Sequence, residues 1–72
     1  MIFKFKNEIV NCNEFSIRDL FNGNDGRPLN ECNLTLHFQS GREITRRLKG
    51  EAKDYVLSRI PENYADLTKF EN

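Results

Sequence analysis

One histidine, two cysteines and a loop crowded with Asn, Asp and Gly are where this 72-residue chain concentrates groups able to do chemistry. His37 is the only histidine, so a general base or an imidazole metal ligand has to be built on it. The strand register derived below sets it opposite Glu43, where the two form a charge-assisted pair on an open sheet face. Catalysis requires a second positioned group and the exclusion of water, and the nearest serine in the chain, Ser40, falls in a turn. No catalytic residue is therefore assigned.

Cys12 and Cys32 are too few for a disulfide framework and lack C-x-x-C spacing. Joined with His37 they still lack a fourth zinc ligand, so no metal site and no cofactor are expected. Strand parity assigns both thiols to the core, as buried free cysteines. The loop from Asn22 to Glu31 has the composition of a calcium loop but not its register. With Gly26 as the turn glycine, the first ligand would be Phe21 and the closing acid would have to be Cys32. The loop reads as a plain connection between two halves of one domain. Asn33-Leu34-Thr35 matches a glycosylation sequon, but it sits in a predicted strand of a chain without a secretion signal.

The densest group of cations is Arg42, Arg46, Arg47, Lys49 and Lys53. If Lys4 and Lys6 share a sheet surface with Arg47 and His37, a basic strip results. Its partner-binding set is Lys4, Lys6, Thr35, His37, Arg42, Thr45, Arg46, Arg47 and Lys49. Such a strip suits an acidic protein surface or a phosphate backbone. The chain has 11 basic and 11 acidic residues, and this cancellation ranks the protein partner above nucleic acid. No aromatic residue alternates with these charges, so a stacking platform for single strands is missing.

These residues need elements to hold them. A chain this short forms one domain and buries only about 60% of its unfolded surface, but six Phe and two Tyr supply apolar area efficiently. Met1-Ile2-Phe3-Lys4-Phe5 alternates as a strand does, not as the apolar block of a signal peptide. With Asn7-Glu8 as the turn, Phe5 faces Val10 and Phe3 faces Cys12 in a first hairpin. Residues 16–22 are ambiguous. Ser16 and Asp19 fit the S-x-x-[DE] capping pattern, and Ile17, Leu20 and Phe21 fall at i, i+3, i+4. The capping pattern favours a short helical turn over a strand.

Asn33 to Gln39 alternates cleanly, and the three-residue loop Gln39-Ser40-Gly41 places Gly41 at the left-handed position of a bulged hairpin turn. Leu36 then faces Ile44, and Leu34, Leu36, Phe38, Ile44 and Leu48 share one face. Thr35, His37, Glu43, Thr45 and Arg47 share the other. A helix from Glu51 to Ile60, preceded by Gly50 and stopped by Pro61, carries Ala52, Tyr55, Val56 and Ile60 as a stripe that covers the apolar face. Phe38, Leu36 and Tyr55 are expected to form one buried cluster.

The sequence thus predicts a single α+β domain over residues 1–60. Its two β-hairpins form a small antiparallel sheet, with a C-terminal helix on one face and residues 61–72 as a tail, docked or loose. No segment is apolar and long enough to span a bilayer. A cytoplasmic, complete small reading frame is expected, and the abundance of Asn, Ile, Phe and Lys fits the AT-rich coding of phages and mobile elements. The functional expectation is a small non-enzymatic accessory or regulatory protein that binds another protein, with a nucleic-acid-binding module as the alternative and a second copy of the chain as a further candidate partner.

Overall fold

The computed structural model describes residues 1–71. The domain is α+β but mostly strand, with two three-stranded sheets and one helix. The strands are β1 (Ile2–Lys4), β2 (Ile9–Asn11), β3 (Glu14–Phe21), β4 (Pro28–His37), β5 (Glu43–Lys49) and β6 (Tyr64–Asp66), and the helix is α1 (Ala52–Ser58). Two single 3-10 turns, Ile60–Glu62 and Thr68–Phe70, complete the chain.

The expected single sheet of two hairpins is replaced by two separate sheets. In the first sheet, β1 lies between β2, antiparallel to it, and β6, parallel to it. In the second, β3, β4 and β5 form an antiparallel meander in that order. The helix is not the last element either, because the chain returns after α1 to add β6 beside β1. Residues 64–70 thereby give the core Ala65, Leu67 and Phe70.

The first hairpin pairs Phe3 with Val10, two residues away from the expected register, because the two-residue turn falls one residue earlier, at Lys6-Asn7: the Phe5 amide donates to the Glu8 carbonyl at 2.8 Å. A shift of two keeps every side chain on its face, and Phe3, Phe5, Val10 and Cys12 are all buried. Residues 16–22 are the larger correction. All but Asn22 belong to β3, not a helical turn, and β3 pairs with β4 from Glu14↔His37 to Asp19↔Cys32. Between Asp19 and Phe21 the register is irregular and shifts by two, from Asp19↔Cys32 to Phe21↔Pro28, with the extra residues on β4. Leu20 and Phe21, which complete the misleading helical spacing, lie at this irregular end of β3, and Phe21 is exposed.

The second hairpin follows the sequence closely. Leu36 faces Ile44, His37 faces Glu43, and Gly41 adopts φ +89°. β4 begins earlier than expected, at Pro28, where a residue without an N–H can open a strand. Near the same end, Gly50 is required by close approach: a Cβ there would stand 2.8 Å from Asn30 Oδ1 and 3.2 Å from the Asn30 carbonyl. Asn30 itself has φ +56°. The helix is shorter than expected, and Ile60 lies beyond it and is exposed.

The two sheets and α1 bury one shared core. Phe3 packs edge-on to Phe15 with ring centroids 5.3 Å apart, joining the first sheet to the second. Leu34, Leu36 and Leu48 contribute from the second sheet, and Ala52 and Val56 from α1. Of the expected Leu36, Phe38 and Tyr55 cluster, only Leu36 is fully buried; Phe38 and Tyr55 lie half-buried at the margin, and Tyr55 packs at a tilt against Phe70. Cys12 and Cys32 are free and buried, and burial pushes both thiols above their ordinary pKa. No helix among the described residues is long and apolar enough to cross a membrane.

Candidate functional site

Parity along the second sheet sends Leu34, Leu36 and Leu48 inward and leaves a polar outer face. Register arranges that face in rows across three strands. Glu14, His37 and Glu43 form one row; Ser16, Thr35 and Thr45 the next; Arg18, Asn33 and Arg47 the third. Glu31 and Lys49 close the pattern at the far end of β4 and β5.

The rows are linked by side-chain contacts. His37 Nδ1 lies 3.1 Å from a Glu43 carboxylate oxygen, and His37 Nε2 lies 3.4 Å from Ser16 Oγ. The Thr35 and Thr45 hydroxyls meet at 3.1 Å, and Arg47 donates to both oxygens of Glu31 at 2.7 and 3.1 Å. Ser16 escaped the sequence reading because a helical turn would have carried it away from β4. Extending the alternation of Phe15 and Ile17 back to Glu14 is the signal that finds it.

Serine, imidazole and carboxylate in this order resemble the components of a nucleophilic relay. The setting differs from one in two respects. Backbone amides of a sheet lie in its plane and bond to neighbouring strands, so none is aimed at an oxygen held above the face. The His37 and Glu43 side chains are also 38% and 56% exposed, which leaves water free access to the row. What the row provides is a fixed set of donors and acceptors on an exposed surface.

The partner-binding set is divided by the fold. Thr35, His37, Thr45, Arg47 and Lys49 lie together on this face, and Arg42 stands at its margin with its guanidinium 5.7 Å over the Phe38 ring. Lys4 belongs to β1 in the other sheet and Lys6 to the turn after it. The sheets pack core face to core face, so Lys4 points away on the opposite side of the domain. Arg46 pairs with Leu34 and therefore occupies the core side of β5, where it forms an ion pair with Glu8 and sits 5.3 Å over the Phe5 ring. It ties the two sheets together and is not available to the outer face.

The continuous basic strip is thereby dissolved. Glu14, Glu31 and Glu43 balance Arg18, Arg47 and Lys49 on the outer face, three acids against three bases. A separate cleft of about 360 Å³ opens where the bulged end of β3 meets the start of α1, lined by Leu20, Phe21, Asn30, Gly50 and Asp54. Lys53 and Asp19 bridge its wall at 3.3 Å. None of the partner-binding set lines this cleft. Among the described residues, no three His, Cys, Asp or Glu side chains cluster as a metal site would need.

Comparison with protein-family models, with curated proteins and with solved structures returns no match for this chain.

Proposed function

We propose that this chain is a small accessory or regulatory protein that acts by binding another protein, and that the outer face of the β3–β4–β5 sheet is its docking surface. One observation carries the reading: the face is polar and, among the described residues, left open by the other elements, while its side chains are already fixed by the Ser16–His37–Glu43, Thr35–Thr45 and Arg47–Glu31 contacts. Side chains held in place before binding lose less freedom when a partner arrives.

The balance of charge selects the class of partner. A polyanion is read by excess positive charge, and this face has none. Paired acids and bases with hydroxyls between them suit a protein surface of mixed polarity, whose complementary charges set orientation and suppress wrong partners. The nucleic-acid reading loses support for the same reason, since Lys4, Lys6 and Arg46 do not join Arg47 and Lys49.

Thr45→Arg separates the two readings. Thr45 is exposed on β5, so the substitution should change stability by only about 0.5 kcal/mol, the usual scatter at surface positions. The longer side chain should nevertheless block a protein partner and abolish its capture from nuclease-treated lysate of the source cells. A nucleic-acid ligand would be held as well or better by the added cation. Equal recovery of the same protein by both forms, each folded by circular dichroism, contradicts the docking assignment.

A further inference from the structure

The four sheet edges of this domain are treated unequally. The outer edge of β6 is covered: the Asp66 amide donates to Tyr55 Oη at 3.1 Å, and Arg59 Nε donates to the Tyr64 carbonyl at 3.2 Å. The outer side of β5 is bridged at Leu48 by Glu71. β2 is only three residues long. β3 is an eight-residue edge, and no backbone group among the described residues bonds to its outer side. Long open edges of this kind are templates for pairing with another strand.

Register shows which groups of β3 are open. The Phe38 amide donates to the Arg42 carbonyl and the Gly50 amide to the Asn30 carbonyl, both at 2.9 Å, so even-numbered residues of β4 bond to β5. Odd-numbered residues of β4 then bond to β3, which commits Glu14, Ser16 and Arg18 opposite His37, Thr35 and Asn33. Phe15 and Ile17 turn both backbone groups to the open edge.

The sequence around them is self-complementary. Two copies of Glu14-Phe15-Ser16-Ile17-Arg18, run antiparallel about Ser16, set each Phe15 opposite the Ile17 of the second copy. The unbonded amides and carbonyls of these residues then pair with one another. The same register sets each Glu14 opposite an Arg18 on the polar face and one Ser16 beside the other. Among the described residues, neither Glu14 nor Arg18 has an ion-pair partner. Phe15 and Ile17, half-buried on the core side, gain cover from the same contact. A register shifted by one residue loses both the charge pairs and the apolar pairs.

We infer that the chain forms a two-fold symmetric dimer by antiparallel pairing of β3 with the β3 of a second copy, producing a continuous six-stranded sheet. Interfaces of this symmetry use one patch twice, as Glu14 and Arg18 do here. The inference is independent of what docks on the polar face, although the dimer sets two such faces side by side.

Sedimentation equilibrium of the full chain over a range of concentrations tests it. The wild type should dimerise. Glu14→Arg and Arg18→Glu should each weaken the dimer roughly tenfold or more, because each turns two opposite-charge pairs into two like-charge pairs. The double variant Glu14→Arg with Arg18→Glu should restore it. Hydrogen exchange supplies a second reading: the Phe15 and Ile17 amides should gain protection as mass rises, whereas those of Ser16 and Arg18 are protected throughout. A wild type that stays monomeric overturns the proposal. So do single variants as dimeric as wild type, or a folded double variant that fails to recover.

Discussion

Phe3→Ala is expected to cost about 3–5 kcal/mol, the range found when a buried aromatic ring is removed and its space cannot refill. Phe3 is 0% exposed and lies at the junction of the two sheets, stacked near Phe5 with centroids 6.5 Å apart and edge-on to Phe15. No single neighbour can move to replace it, because β1 is held on both sides, by β2 and by β6. Small domains have only about 5–15 kcal/mol of total stability. The variant should therefore be largely unfolded or melt at a much lower denaturant concentration. A chemical melt within about 0.5 kcal/mol of wild type, as surface changes give, contradicts the packing described.

Leu67→Ala should be nearly as damaging, with a loss of about 2–5 kcal/mol for a fully enclosed leucine. Leu67 is 0% exposed, and its amide donates to the Lys4 carbonyl at 2.8 Å, so it anchors the last stretch of chain to β1. The same substitution in a loosely attached tail would cost almost nothing. Hydrogen exchange adds a local readout: amides of residues 64–67 should open together with those of β1 if the parallel pairing is as observed. Early exchange of 64–67 while β1 stays closed would show that β6 is a separate, weaker unit.

The second hairpin was legible because local signals agree there. Alternation from Asn33 to Gln39, the left-handed demand at Gly41 and the polar set Thr35, His37, Thr45 all lead to the observed register. The first hairpin was legible in parity but not in register, since a two-residue turn at Lys6-Asn7 and one at Asn7-Glu8 bury the same four side chains. At residues 16–22 two signals competed. Regular pairing of β3 ends at Asp19, and Leu20 and Phe21, at the irregular end of the strand, completed a spacing that imitated a helix.

Long-range pairing was not legible at all. β6 joins β1 across most of the chain, and nothing in Tyr64-Ala65-Asp66 names its partner. The candidate site was half legible for a related reason. Thr35, His37, Thr45, Arg47 and Lys49 come from one hairpin, so local parity places them together. Lys4 and Lys6 depended on which sheet β1 entered. Arg46 was in sequence proximity to Arg47 but, one residue away on a strand, it faces the opposite side.

The docking assignment is tested most directly by contact. Thr45, at the exposed centre of β5 on the polar face, is replaced by the photo-reactive p-benzoylphenylalanine, and the protein is irradiated in its source cells. Asn11, exposed on the outer side of the other sheet, serves as the control position. A protein adduct formed from position 45 and absent from position 11 is the result predicted here. No adduct from position 45, or equal adducts from both, would contradict it.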